Sequence, residues 1–196
     1  MLLDKNLLRE KLQGWEKIMD EYALPNWDNL PTLPLYMDQV IYLLNEYLII
    51  FPTEDPEERL VTPAMINNYV KLKIIPAPIK KRYGRLHLAY LILVCILKQS
   101  MNTGDIKKLL SIEMNEAEMQ VIYTSFVGIF ESAKRNCIAG VKESAKPILR
   151  DPETSVNNLI FQTALSANFF RMLTEQMIAL QPEQTQNEAD ATDGKK

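Results

Sequence analysis

Asn67, Asn68 and Lys71 are spaced so that a single helix would present all three side chains on one surface. At about 100° per residue, Ile66 and Tyr69 would lie on the opposite, apolar side of that helix. Asparagine can form two hydrogen bonds with the edge of an adenine, and lysine reaches a guanine or a phosphate. We therefore predict that these three polar side chains read base edges in the major groove of DNA.

A cluster of cations follows this segment, with one tyrosine among them. Long cationic side chains neutralise the phosphates of a nucleic acid, and hydroxyl groups donate further hydrogen bonds. The residues that we predict to bind phosphates are Thr62, Lys80, Lys81, Arg82, Tyr83 and Arg85. Together with the base-reading residues they would form a surface that binds double-stranded DNA.

The distribution of charge favours the same interpretation. The chain carries a formal net charge of −3, yet no Asp or Glu occurs between Glu58 and Asp105. The bases between these two acids are Arg59, Lys71, Lys73, Lys80, Lys81, Arg82, Arg85 and Lys98. A charge run by itself usually marks a solvated surface, which is the simpler interpretation. We favour nucleic-acid binding because the carboxylate-free interval, the amide-bearing face and the basic cluster coincide.

The hydrophobic pattern predicts a mainly α-helical protein. The helix that reads bases would cover 62–74, with Thr62 as its N-cap. Pro76 and Pro78 would end this helix, and a short ribbon around 77–83 would form a wing. Further helices are predicted at about 3–22, 34–50, 86–99, 102–110, 114–146 and 153–180.

The last of these helices is apolar over much of its circumference, and Asp151-Pro152-Glu153 would cap it. Such a helix must bury its faces against another helix or a second subunit, so we expect a homodimer formed through the C-terminal helices. The predicted regions are an N-terminal helix and loop at 1–30, a DNA-binding domain at 31–112, a C-terminal helical region for dimerisation or effector binding at 113–181, and a disordered tail at 182–196.

The composition favours binding over catalysis. One histidine and two cysteines do not supply a zinc site, and the six glycines form no phosphate-binding loop. We therefore predict that the protein is not an enzyme and needs no cofactor. The histidine, His87, is expected at the surface or at a helix start. Cys95 and Cys137 lie in helical patterns and no signal peptide is evident, so we expect a cytoplasmic protein that does not enter a membrane.

Three stretches of the sequence resemble the DNA-binding domain of the MerR (mercury-resistance regulator) class. They read TPAMINNYVKLKIIPAP, KKRYGRLHLAYLILVCILK and MNTGDIKKLL. Ile66 and Tyr69 fit the core of the recognition helix in that class, and Arg82 and Tyr83 fit its wing. The resemblance implies a winged helix-turn-helix fold and a role in transcription regulation.

The chain departs from the MerR pattern at three points. Lys73 stands where the turn has a glycine, the wing is several residues shorter, and an acidic insertion occupies 52–58. The region 30–110 more closely resembles a bacterial family recorded only as a domain of unknown function, itself MerR-like. An alternative function is a non-enzymatic adaptor that docks an acidic partner protein through the same core. A weaker alternative is a ligand-sensing helical module with enzymatic action at 113–180.

Overall fold

The computed structural model describes residues 4–51, 59–151 and 153–181. Its elements in these ranges are α1 (Lys5–Glu21), a 3₁₀ turn (Trp27–Asn29), α2 (Met37–Tyr47), α3 (Pro63–Lys71), α4 (Arg85–Leu97), α5 (Thr103–Leu109), α6 (Glu116–Arg150) and α7 (Asn157–Ala179). The expected mainly α-helical class is confirmed for this part of the chain. The acidic insertion at 52–58 and the tail at 182–196, predicted to be disordered, lie outside the described residues.

Helix α4 forms the centre of the molecule. Its residues from His87 to Cys95 are all buried, because α2 and α6 pack against different sides of it. Apart from the histidine the buried run is hydrophobic, and each fully buried aliphatic side chain stabilises the fold by about 1.5–3 kcal/mol. Burial also raises the pKa of the Cys95 thiol to about 12. Helix α3 packs in turn against α2, so the candidate site rests on this core.

Helix α3 begins as predicted but ends earlier. The Thr62 hydroxyl caps its first turn by accepting a backbone hydrogen bond at 3.4 Å. At the other end, Lys73 adopts a left-handed backbone conformation with φ of 54°. The Ile74 amide then donates to the Tyr69 carbonyl at 3.0 Å. This hydrogen bond spans five residues instead of the four of an α-helix, and it is typical of a helix C-terminus. The boundary predicted at 62–74 is therefore wrong at its C-terminal end, because the left-handed lysine stops the helix before the prolines do.

The wing predicted around 77–83 does not form a β-ribbon. The described residues contain no strand, and two isolated antiparallel bridges join Ile79 to Arg82 and Leu35 to Tyr83. Only two residues separate the first pair, and the neighbouring prolines have no amide hydrogen for a ladder. The segment instead forms a tight turn that is joined to the residues just before α2.

The chain between α1 and α2 is held against α6. The Tyr123 hydroxyl donates to the Pro25 carbonyl at 2.8 Å, and the Tyr123 ring packs edge-on against Trp27. The buried ammonium of Lys134 donates to the Tyr22 carbonyl at the end of α1 and forms an ion pair within α6. These contacts satisfy polar groups that water cannot reach, and they fix the connection to α2.

The turn between α6 and α7 differs from the prediction. The Asp151 carboxylate accepts hydrogen bonds from the Thr154 hydroxyl and the Glu153 amide, and these bonds lower the pKa of Asp151. Asp151 thus closes the turn after α6, and α7 begins only at Asn157 with no side-chain cap. The prediction that Asp151 begins the last helix is wrong, because its carboxylate bonds to the turn.

Helix α7 buries Leu159 near its beginning and Ile178 near its end. The large apolar side chains of α7 and its C-cap that are at least half exposed are Ile160, Phe161, Leu165, Phe169, Phe170, Met172, Leu173, Met177 and Leu180. We call these nine residues the exposed α7 surface. As for membranes, no helix within the described ranges has the length and hydrophobicity to cross one.

Candidate nucleic-acid interface

Helix α3 presents its polar side chains to solvent. Ile66 and Tyr69 are buried, whereas Asn67, Asn68 and Lys71 are exposed, so the predicted division of this helix into two faces is confirmed. Neither asparagine side chain forms a hydrogen bond with another described residue. Each amide therefore keeps the donor and acceptor that pairing with a base edge requires. Base reading by these residues stays a prediction.

Asn45, in α2, sets the position at which α3 begins. Its side-chain nitrogen donates to the Val61 carbonyl at 3.1 Å, and its side-chain oxygen accepts from the Val61 amide at 3.2 Å. The same nitrogen donates to the Ile41 carbonyl at 2.8 Å. Val61 is fully buried, so these bonds satisfy backbone groups that water does not reach. They hold the start of α3 against α2.

The cations that follow α3 lie on a tight turn at residues 79–82, which we call the basic turn. The backbones of Ile79 and Arg82 exchange two hydrogen bonds of 3.0 Å each. Lys80 and Lys81, between them, have φ values of 49° and 63°. Two successive positive φ values are typical of a type I′ turn, which favours Asn and Gly. Because a left-handed non-glycine residue costs on the order of 1–3 kcal/mol, two lysines occupy this tip despite backbone strain.

Tyr36 lies beside the basic turn, although it precedes Arg82 by 46 positions in the sequence. Leu35 and Tyr83 exchange backbone hydrogen bonds of 2.9 Å, which bring the start of α2 next to the turn. The Arg82 guanidinium donates to the Tyr36 hydroxyl at 2.7 Å and lies over the Tyr36 ring, 4.5 Å from its centre. Both side chains are exposed. No local pattern in the sequence connects Tyr36 with the basic cluster, which is why it was not predicted.

Tyr83 belongs to the core and not to the surface. It is 3% exposed, and its ring packs edge-on against His87. Desolvation by burial raises the pKa of its hydroxyl. Successive residues of an extended segment point to opposite sides, so Tyr83 faces inward where Arg82 faces solvent. The burial of Tyr83 does not support its predicted role on a phosphate, which stays a prediction.

Two other predicted phosphate-binding residues also have contacts within the protein. The Arg85 guanidinium donates to the Leu30 carbonyl at 3.2 Å and lies over the Trp27 ring, 5.5 Å from its centre. The Thr62 hydroxyl accepts the capping bond at the start of α3. Arg85 is half-buried and holds the loop before α2, so its contacts do not support a role on phosphates.

His87 fastens the two ends of the segment that contains the basic turn. Its Nδ1 accepts a hydrogen bond from the Gly84 amide at 3.1 Å, and its Nε2 donates to the Ala77 carbonyl at 3.1 Å. These roles require the neutral ring with its hydrogen on Nε2. Of the two positions expected for this histidine, the helix start is confirmed and the surface is wrong, since the side chain is buried and satisfies backbone groups on either side of the turn.

The cations of this region have no protein counter-ion within the described part of the chain. The ion pairs there join residues of α1, α6 and α7. Lys71, Lys80, Lys81 and Arg82 take part in none of them and are exposed. The outer side of α3 and the basic turn therefore form a positive surface on an acidic protein, which is what an anionic ligand requires.

The comparisons with known proteins add one match. A family described as "Domain of unknown function (DUF1836)" matches residues 25–126. No curated protein and no solved structure matches the chain. The matched region runs from the loop after α1 into α6, so it contains Tyr36, Asn45, α3 and the basic turn. Because the match covers more than half of the sequence, the chain belongs to the DUF1836 family.

Proposed function

We propose that the protein is a sequence-specific, double-stranded DNA-binding regulator of transcription, and that it acts by binding and not by catalysis. Helix α3 would lie in the major groove with Asn67, Asn68 and Lys71 at the base edges. The basic turn would hold neighbouring phosphates. In this proposal α2, α3 and the basic turn form a compact MerR-like winged helix-turn-helix, in which a two-residue turn replaces the wing ribbon.

The observation that carries the proposal is the positive surface shared by α3 and the basic turn. Its cations are exposed and have no described protein counter-ion, and the two asparagines beside them keep unpaired amides. A solvated basic loop accounts for the lysines alone. It does not account for amide groups on the same side of a helix whose start is fixed by Asn45. Phosphate binding together with base reading accounts for both.

The salt dependence of DNA binding tests this proposal. The logarithm of the affinity for a duplex should fall linearly with the logarithm of the salt concentration, with a slope of about −0.9 for each phosphate neutralised. The exposed cations on α3 and the basic turn are Lys71, Lys80, Lys81 and Arg82, so we expect a log–log slope of roughly −4 for one copy and roughly −7 for two. Fluorescence anisotropy with a mixed-sequence duplex and with duplexes enriched by selection would measure it. Absence of salt-sensitive duplex binding at low ionic strength would overturn the proposal.

Substitutions would separate phosphate binding from base reading. Lys81→Ala with Arg82→Ala should weaken binding to every duplex and make the log–log salt slope shallower by about two for each bound copy. Asn67→Ala should instead relax the preference at particular base pairs, by about 1–3 kcal/mol each. Lys11→Ala with Arg135→Ala is the matched control, because it removes the same charge from exposed positions on α1 and α6. If this control weakens binding as much as the first pair, net charge explains the effect.

We further propose that the regulator is a homodimer formed through its C-terminal helices. The nine residues of the exposed α7 surface present on the order of 1,000 Å² of apolar area, at about 100 Å² for a side chain that is half exposed. A stable protein–protein interface takes about 800 Å² from each partner, so this surface is large enough for one. Two copies would place two α3 helices on half-sites separated by whole turns of the duplex.

A pull-down experiment distinguishes the DNA-binding regulator from the alternative function, an adaptor that docks an acidic partner protein. The same positive surface would then bind an acidic protein, and duplex DNA would not compete for it. Capture of DNA by the wild-type chain, with loss of capture in the Lys81→Ala, Arg82→Ala variant, supports the regulator. Capture of an acidic protein that duplex DNA fails to displace contradicts it.

A further inference from the structure

Tyr36 keeps a hydroxyl hydrogen available after it has bound Arg82. A tyrosine hydroxyl carries one hydrogen to donate and lone pairs that accept. Because the guanidinium donates to it at 2.7 Å, the Tyr36 oxygen is the acceptor in that bond. Tyr36 is 54% exposed, and its hydroxyl donates to no described residue. Its hydroxyl and the remaining guanidinium hydrogens are both available to a ligand from solvent.

We infer that Tyr36 and Arg82, with Lys80 and Lys81, form a clamp that binds one phosphate group of the DNA backbone. This inference deepens the proposed function and rests on it. The Tyr36 hydroxyl donates to one non-bridging oxygen of the phosphate, and the Arg82 guanidinium binds the other. Tyr36 is also a positioning residue, because the hydrogen bond and the ring beneath the guanidinium hold Arg82 before the ligand arrives. A cation held in this way loses less side-chain entropy on binding.

The backbone of the basic turn supports this assignment. Lys80 and Lys81 occupy left-handed positions for which Asn and Gly are the favoured residues. Strained backbone of this kind is concentrated where side chains serve a ligand. The turn places both lysines at an exposed tip next to the pair formed by Tyr36 and Arg82. Three cations on one short turn therefore lie next to a hydroxyl donor from the start of α2.

The charges around the clamp match a phosphodiester. Each such group carries one negative charge and two non-bridging oxygens, and a planar guanidinium binds oxygens of this kind well. The nearest carboxylate along α2 is Asp38, in the first turn of that helix. Asp38 is exposed and forms no ion pair with the basic turn among the described residues. Along the sequence, the acids nearest to the basic turn are Glu58 before it and Asp105, on α5, after it.

Tyr36→Phe tests the clamp because it removes the hydroxyl and leaves the ring under Arg82. We expect a five- to tenfold loss of affinity for every duplex, with an unchanged salt slope, since no charge is lost. Arg82→Gln should make the log–log salt slope shallower by about one for each bound copy, because one positive charge is lost. The double variant should lose less than the product of the two single effects, because the hydroxyl acts partly through Arg82. Tyr42→Phe is the matched control. Tyr42 is an exposed tyrosine on α2, and its hydroxyl forms no hydrogen bond with a described residue.

Three outcomes are decisive when thermal unfolding shows that all variants are folded. Loss of affinity in Tyr36→Phe and not in Tyr42→Phe, with non-additivity in the double variant, supports the clamp. Duplex binding that Tyr36→Phe leaves unchanged overturns the clamp while the proposed function stands. Equal losses in both tyrosine variants also overturn it, because the effect is then not specific to Tyr36.

A smaller probe separates the clamp from DNA binding. Inorganic tripolyphosphate should shift the NMR signals of the Tyr36 ring and of the Arg82 Nε–H group, and Arg82→Gln should abolish the shift of the ring. If these signals respond while no duplex binds, the clamp holds a phosphate and the proposed function is wrong. If they do not respond to millimolar tripolyphosphate, the clamp is overturned.

Discussion

Three lysines in the described chain, Lys73, Lys80 and Lys81, have left-handed backbone conformations. Each stands where glycine or asparagine would be more stable, the first at the end of α3 and the other two in the basic turn. Lys73 takes the role that glycine has at many helix ends, so the turn after α3 forms without one. The lysines of the basic turn retain exposed charge at a position that is unfavourable for their backbone.

Replacing the two turn lysines with the residues that this turn favours should separate stability from binding. Lys80→Asn with Lys81→Gly should relieve strain and raise the Tm by about 2–4 °C for each kcal/mol gained. The same variant should bind duplex DNA more weakly, with a slope shallower by about two for each bound copy, because two charges that we propose to bind phosphates are lost. Calorimetry and fluorescence anisotropy measure the two effects.

Lys73→Gly is the control for that experiment. It relieves the same kind of strain and removes one charge, but it changes the end of α3 and not the basic turn. We expect a higher Tm with little change in affinity. A loss of affinity per charge as large as that of the turn variant would show that the position of the lysines does not matter.

At the level of elements, α3 depends on α2 for its position. Asn45 bridges the two helices through both backbone groups of Val61, and Leu35 joins the segment before α2 to the residue after the basic turn. One helix therefore positions both parts of the candidate interface. Tyr36 at the N-cap of α2 and His87 at the start of α4 complete the support of the turn.

Removing the Asn45 bridge should therefore disturb the orientation of α3 as well as stability. Asn45→Ala leaves the buried backbone groups of Val61 without partners, and we expect a loss of about 1–3 kcal/mol in the free energy of unfolding. Discrimination between duplexes should fall more than binding to mixed sequence, because in the proposed function the basic turn, and not α3, holds the phosphates. Denaturant unfolding and competition binding test this.

Glu46→Ala provides the comparison for Asn45→Ala, since it truncates an exposed neighbour on the same helix. It should leave both stability and sequence preference close to those of the wild type. If Asn45→Ala unfolds at the same denaturant concentration as the wild type, the bonds from Asn45 to Val61 do not hold α3 against α2.

At the level of the whole molecule, the core around α4 and the C-terminal helix α7 differ in how well they are buried. Around α4 the core is continuous, whereas α7 touches the rest of the fold mainly at Leu159 and Ile178. An exposed apolar surface of this size on a soluble protein usually marks an interaction site. A second copy of the chain would cover it and would double the number of phosphate contacts.

A charge placed on the exposed α7 surface should dissociate such a dimer. Phe169→Glu introduces a carboxylate among these side chains, and we expect sedimentation velocity to show a shift from dimer to monomer. The salt slope of DNA binding should fall from roughly −7 towards −4 with the loss of one copy. Ala167→Glu adds the same charge at an exposed position about 160° from Phe169 around α7, and it should leave the dimer intact. If the Phe169→Glu variant remains dimeric, the exposed α7 surface is not the dimer interface.

Local pattern in the sequence determined the helices, the two faces of α3 and the start of that helix at Thr62, because helical periodicity and capping depend on residues a few positions apart. Tertiary structure decided which predicted phosphate-binding side chains reach solvent. Arg82 and Tyr83 are adjacent, yet one is exposed and the other buried, since the bridge to Leu35 sets which side of the extended chain faces the core. The pairing of Arg82 with Tyr36 follows from the same bridge, which no local spacing encodes.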